Sequence, residues 1–413
     1  MNNRKKLLIP KYMNDFKCTG SACEDTCCAG WSIPIDEITY KKYKKNNDIE
    51  LKNAFNKNVS RNRANPTEGN YAKIKLNDKN ECPFLTEEKL CNIHCKLGEE
   101  ALSQTCSMYP RLYNVVNKVI EKSATLSCPE VVRLVLLKPQ LIEFDEIYEE
   151  FSGRSYIGNE INTGNNNFLN KVEGYFWELR IFTIQLLQNR NYKIWERLII
   201  LGMFYQKVQE AIEDNKIKDV ASIIDSYSNM MNSNVVIEAL KSIPTHSIIQ
   251  MEILKELVDI KFSKGISNKR YLECIFETLE GLKYTNETTI EEVGENYKYV
   301  YEKYYEPFMK DKEYIFENYL VNYVFTNLFP TRPYKNLFDN YIMLVIHYAW
   351  IKMNLIGIAG YHKEDFNEEN IVKLVQSFSK TIDHNNVFLK HILDTLEKSN
   401  MTTMPYMAIL IKN

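Results

Sequence analysis

The chain has 413 residues with 52 Lys+Arg and 54 Asp+Glu, a net charge of −2, which excludes a globally basic nucleic-acid binder. Apolar residues make up 45% and charged residues 26%, which excludes disorder, a collagen-like chain and a coiled coil for the bulk of the molecule. Fourteen Gly and twelve Pro stand against 27 Tyr and 19 Phe, a balance that favours long packed helices over a strand-rich barrel.

The average hides an asymmetry. Residues 1–140 hold 23 basic and 16 acidic residues, a net of +7, and the remainder holds 29 and 38, a net of −9. Nine of the ten cysteines lie in the first 128 residues, and only Cys274 lies beyond. The expected class is mainly α. A small cysteine-rich α+β metal-binding module with short hairpins spans 1–140, followed by an irregular all-α helical body over 141–413.

In chain order, Leu7-Leu8-Ile9 before Pro10 is too short for a signal-peptide apolar region. Asp36 reads as the N-cap of a helix carrying Ile38, Tyr40 and Tyr43. Tyr71–Leu76 alternates and then meets Asn77-Asp78, which predicts a strand and a turn. Leu97–Thr105 reads as a short helix, Leu112–Leu126 as a hairpin about Asn117, and Pro129 as the first turn of a helix through Val131, Val132, Leu134 and Val135. Residues 152–167, rich in Gly, Asn and Ser, read as a linker. Apolar residues then recur at three and four, predicting helices over 168–188, 193–215, 248–262, 269–282, 296–309, 314–328, 340–356, 369–378 and 385–398. The apolar runs Leu198–Tyr205 and Tyr341–Ile346 fall short of the ~20 residues of a bilayer span. The expectation is a cytoplasmic protein that binds neither membrane nor nucleic acid. In such a compartment thiols stay reduced, and clustered cysteines hold metals more often than disulfides.

The first cluster reads Cys18-Thr-Gly-Ser-Ala-Cys23-Glu-Asp-Thr-Cys27-Cys28. Thiolates so close wrap a soft cation or an iron–sulfur cluster. Further on stand Cys82, Cys91-Asn-Ile-His94-Cys95, Cys106 and Cys128. No Cys-x-x-Cys pair exists, which argues against zinc fingers, ribbons and thioredoxin-type pairs. A Cys-x3-Cys begins at Cys23 and at Cys91, but neither gains the third cysteine of a radical-type cluster motif. Spacing alone leaves a zinc staple and an iron–sulfur cluster both open.

The strings CTGSACEDTCCAGWSIPID, CPFL, LCNIH, LGEEALSQTCSMYPR and SCPE resemble the flagellin lysine N-methylase family. The eight-cysteine pattern is also similar to that of small zinc- or iron-chelating proteins. The likeness continues through YFWELRIFTIQLLQNRNYKIWERLIILGMF, ENYLVNYVFTNLFP and Ile382-Asp383-His384. It implies a protein-lysine N-methyltransferase that uses S-adenosylmethionine, acts on flagellin and carries a [4Fe-4S] cluster. The residues on the family's cysteine pattern are Cys18, Cys23, Cys27, Cys28, Cys82, Cys91, Cys106 and Cys128. Cys95 falls outside it. The alternative is a non-catalytic zinc- or iron-binding interaction protein.

No Gly-x-Gly-x-Gly follows a strand, so S-adenosylmethionine cannot sit in the usual nucleotide fold. Gly357 and Gly360 read as a helix end. Polar groups on apolar helices are the remaining candidates. Asn318, Asn322 and Thr326 stack on one helix face and must be hydrogen-bonded to a ligand or to neighbours. Glu178 and Arg180, with Arg190, Glu196 and Arg197, form either a buried ion-pair network or a clamp for the cofactor carboxylate. The candidate catalytic groups are His384, Glu317 and Tyr323, and the candidate cofactor-binding groups are Asn318, Asn322 and Arg180. The acidic body is expected to face the lysine-bearing partner, so association should weaken with salt.

Overall fold

The computed structural model describes residues 4–150, 156–164, 171–231, 235–334 and 336–413. The chain forms two compact units. The first comprises Met1–Val115, Val119–Val131 and Phe144–Glu160, and the second Val116–Lys118, Val132–Glu143 and Ile161–Asn413.

The α+β character of the N-terminal region lies in two small sheets. A five-stranded sheet has the order Phe144–Glu150, Arg4–Pro10, Val119–Ala124, Arg111–Val116, Glu160–Ile161. Arg111–Val116 and Val119–Ala124 are the hairpin expected about Asn117, whose turn places Asn117 and Lys118 at φ 50° and 68°, the mirror-image turn that matches strand twist. Arg4–Pro10 and Phe144–Glu150 run antiparallel across seven residue pairs. Neither reads as a strand alone, because one is basic and the other acidic. Paired, they neutralise each other, as in Lys6–Glu146 at 2.8 Å. A three-stranded sheet orders Pro34–Ile35, Ala72–Ile74, Val59–Arg61.

Asp36 caps Glu37–Lys44 by accepting from Thr39 N at 2.8 Å, as the sequence predicts. The helix expected over 97–105 is instead broken at Gly98, whose φ of 79° ends Asn92–Leu97. A new short helix, Gln104–Met108, then starts under a Ser103 cap. Of the linker expected over 152–167, residues 152–155 and 165–167 lie outside the described residues, and the part between them contains the strand Glu160–Ile161.

The second unit is helical, as expected. Its axis is Leu337–His362, a 26-residue helix buried almost throughout. By length and composition this helix could cross a membrane, but its apolar window is fully buried inside the fold. Two helices carry π-helical turns, Tyr301–Tyr305 and Ser379–Asp383. Such turns recur at functional sites because the extra residue re-aims side chains.

Gly357 and Gly360 do not end a helix. They lie inside the long one, where Gly281 of Lys269–Gly281 crosses it. A Cβ on Gly281 would overlap the Gly357 carbonyl oxygen and lie 2.6 Å from Tyr361 N, and one on Gly357 would lie 2.7 Å from Thr278 O. These obstacles are backbone and cannot swing aside. Gly281→Ala should therefore lower stability by about 1–3 kcal/mol, as overpacked cores do. Urea unfolding followed by helical circular dichroism checks this, with the midpoint moving down.

Candidate functional site

In the first unit, backbone pairing gathers several thiols. Ala29 bridges Glu81, Cys82 N donates to Cys28 O at 2.7 Å, and Leu85 bridges Cys91. Cys28, Cys91 and Cys106 thus pack against one core with buried Cys82, Ile33, Phe55 and Phe84. Ser103, capping the Cys106 helix, accepts from Cys106 N at 3.2 Å. The Cys28 thiol bonds to those of Cys27 and Cys82, so the adjacent pair stays in one neighbourhood.

Cys128 stands apart from this group, close to Cys23 and Cys18. Tyr109 feels both Cys128 and Cys27 and so links the two neighbourhoods. Burial pushes the thiols of Cys106 and Cys128 up to about 12 each, and nearby cysteines add to both shifts. Thiols so crowded cannot ionise together without a cation between them, which is the setting a soft metal supplies. The donor chemistry therefore fits a metal or cluster. Among the described residues, however, no three His, Cys, Asp or Glu side chains stand in a metal-holding arrangement. Cys95 and His94 are exposed on Asn92–Leu97.

In the second unit, Glu317 is fully buried and its carboxylate is engaged on both oxygens. Arg190 donates at 2.7 Å to Oε1 and 3.0 Å to Oε2, and Arg197 at 2.8 Å to Oε2. Arg197 also donates to the carbonyls of Leu187 and Tyr192 at 2.7 Å each. Of the network expected from Glu178, Arg180, Arg190, Glu196 and Arg197, Arg190 and Arg197 meet around Glu317, which is thereby occupied structurally. Glu196 bonds Lys193 N at 2.7 Å, and Glu178 is exposed. Arg180 is buried with its guanidinium 4.5 Å from the Phe325 ring centre and 5.3 Å from that of Phe176.

Asn318 donates to Lys138 O at 2.8 Å, and its Oδ1 finds no hydrogen-bond partner among the described residues. Asn322 is buried nearby on the same helix. His384 is exposed just beyond the Ser379–Asp383 turn. Tyr323 lies with its ring centre 5.2 Å from that of His347.

His347 leads to a polar cluster that pattern reading misses. Its ring is 3% exposed, its Nδ1 lies 2.6 Å from Met343 O, and its Nε2 lies 3.4 Å from Asp383 Oδ1. A carbonyl only accepts, so Nδ1 carries a hydrogen. Nε2 is left to face the carboxylate at ion-pair distance. Phe378 sits among three elements here, 6.0 Å from His347, 6.1 Å from Tyr271 and 5.6 Å from Trp350, centre to centre. The hydroxyls of Tyr271, Tyr319 and Ser379 are buried without a hydrogen-bond partner among the described residues, and Asp383 Oδ1, the oxygen facing His347, is buried and makes no hydrogen bond at that distance. Burial pushes the phenols of Tyr271, Tyr319 and Tyr323 upward, and the Asp383 charge adds to each. At neutral pH they are donors, not bases. A buried cluster with unspent donors and a carboxylate is unusual in a packed core, and it can hold a proton and receive a polar ligand. The signal for it in the sequence is His347, a titratable residue inside an otherwise apolar run.

A family model described as the FliB lysine N-methylase C-terminal domain matches residues 180–410, a span that holds this cluster and all six catalytic and cofactor-binding candidates. The lysine-N-methylase of Salmonella choleraesuis (strain SC-B67) is 24% identical over 391 residues, 92% of this chain and 93% of that protein. The lysine-N-methylase of Salmonella typhimurium (strain LT2) matches to the same extent. The flagellar biosynthetic protein FliU of Salmonella muenchen is 36% identical over 138 residues, 33% of this chain and 80% of that protein. No solved structure matches the chain. A family model covering more than half of the chain and relatives aligned over nearly its whole length show that the protein belongs to the FliB lysine N-methylase family.

Proposed function

We propose that this enzyme transfers methyl groups from S-adenosylmethionine to lysine side chains of flagellin. The observation that carries this is the polar cluster of buried His347, Tyr271 and Tyr319 with half-buried Asp383 and Tyr323, inside the region matched by the family model. Lysine is a poor nucleophile while protonated, with an ordinary value of about 10.4. Its methylation needs a place that strips the ammonium of a proton in partly dry surroundings. Flagellin as substrate is supported by the flagellar name of the Salmonella muenchen relative. Incubation with S-adenosylmethionine carrying a labelled methyl group, with flagellin and with flagellin whose lysines are blocked, tests the reading. Label should enter the first protein and not the second.

The cysteines are proposed to hold a [4Fe-4S] cluster. Cys27, Cys28, Cys82, Cys91 and Cys106 form the neighbourhood most suited to it, with Cys18, Cys23 and Cys128 beside them. When bound, such a cluster supplies redox capacity or a Lewis-acid iron, and zinc in its place would supply a structural staple. None of the ten cysteines is in a disulfide, which suits a reducing cytoplasm. Cys28→Ser should cut bound iron and sulfide to background, because a hard hydroxyl does not replace a thiolate on iron. Metal analysis of anaerobically purified protein reads this. Unchanged iron in the variant, or zinc without sulfide in the wild type, would count against the cluster.

A further inference from the structure

We propose that Asp383, backed by His347, is the group that takes the proton from the substrate lysine. The assignment rests on lysine methyl transfer being the activity. Asp383 ends the π-helical turn Ser379–Asp383 and turns its carboxylate toward His347 of the long helix. The two differ in access: the Asp383 side chain is 29% exposed and that of His347 only 3%. An incoming ammonium can therefore reach Asp383 but not His347, whose Nδ1 is already committed to Met343 O. His347 is a positioning residue: its Nε2 stands 3.4 Å from the buried Oδ1 and orients the carboxylate, leaving the other oxygen to take the lysine proton.

Other groups face this carboxylate from every packed element. Tyr319 and Tyr323 approach from Tyr314–Thr326 and Tyr271 from Lys269–Gly281. His384 adjoins Asp383, with Lys380 on the same turn. Lys261 of Ser247–Ser263 donates to Thr381 O at 3.5 Å, its amine pushed down by burial. The buried hydroxyls of Tyr271, Tyr319 and Ser379 have no acceptor among the described residues, and they are suited to a polar guest or to the carboxylate as it turns toward one. Tyr323 also feels Tyr334, which in turn feels Asp339 and Asp394, and Asp339 feels Glu397. Burial, then Glu397, holds the Asp339 carboxyl up at about 6.

The step balances as follows. An ammonium N–H bond breaks and its proton passes to an Asp383 oxygen. The freed nitrogen pair forms the N–CH3 bond, and the sulfonium C–S bond breaks with its electron pair staying on sulfur as a neutral thioether. Asp383 then returns the proton to solvent. His384, exposed beyond the turn, is not required.

Asp383→Asn tests this on the full-length protein with a lysine peptide and S-adenosylmethionine. The variant keeps the shape of the side chain, and circular dichroism checks its fold. The expected result is a kcat loss of about 10²–10⁴-fold, the usual worth of a general base, with little change in KM. The variant's remaining rate should climb about tenfold per pH unit toward the lysine's own value near 10.4, where wild type levels off earlier. His347→Gln, which can still donate to the carboxylate, should lose less and move the wild-type pH profile. It carries the test if Asp383→Asn does not fold. Wild-type rate and pH profile in a folded Asp383→Asn, or an unmoved profile in His347→Gln, would overturn the assignment alone. A wild-type protein that methylates no lysine would overturn the activity and the assignment together.

Discussion

Replacing Glu317 with alanine should destabilise the protein by about 3–5 kcal/mol, the cost of leaving a buried charge without its partner. The stranded group is Arg197, whose side chain is 2% exposed. Its bonds to the Leu187 and Tyr192 carbonyls hold the guanidinium in place, so it cannot escape to water. Arg190, 44% exposed, can resolvate and adds little. Removing both charges in Arg197→Met/Glu317→Leu should recover most of the loss, because apolar replacement of a whole buried pair is often near neutral. The urea midpoints of single and double variants decide the matter. A shift below about 1 kcal/mol in the single variant, typical of surface pairs, would contradict the network reading.

Stability should also rise with pH from neutral to about 10, and Lys352 should be the cause. Its amine sits on the long helix with 6% exposure, donates to Ile411 O at 3.2 Å, and lies between the rings of Tyr301 and Tyr348 at 5.6 and 5.5 Å. Burial pushes it down to about 7, with Glu313 opposing. The unfolded chain, with an ordinary lysine near 10.4, binds more protons across that window, so folding gains as pH rises. About three pH units of difference correspond to roughly 4 kcal/mol at neutral pH. The buried phenols of Tyr297, Tyr305 and Tyr348 are pushed up by burial. They act in the opposite sense above pH 10, where the folded state keeps their protons. Lys352→Met removes only the lysine contribution. The difference between wild-type and variant stability at pH 7, 8 and 9 should shrink steadily, and a constant difference would contradict the argument.

Much of the fold is legible because its signals are local. Asp36 sits one residue before a helical pattern, Asn117 centres two alternating runs, and the body repeats at three and four. The strands Arg4–Pro10 and Phe144–Glu150 are not legible, since what makes them strands is charge complementarity across 140 residues of chain. Gly357 misleads for a similar reason: its use is a close approach to Gly281, a neighbour in space only. The site divides the same way. Cysteine spacing raises the expectation of soft-metal chemistry, but which thiols meet depends on loops laced through Ala29–Glu81 and Leu85–Cys91. Ile382-Asp383-His384 is singled out in the sequence for His384, whereas the proposal falls on Asp383. Contact with the long helix then decides that Asp383 turns its carboxylate toward His347.

Mass mapping of flagellin lysines after incubation with the purified protein and S-adenosylmethionine tests the central claim most directly. The account predicts peptides heavier by whole methyl groups on lysine side chains, growing with time and absent without the methyl donor. Flagellin that stays unmodified at every lysine, with the folded protein and donor both present, would contradict it.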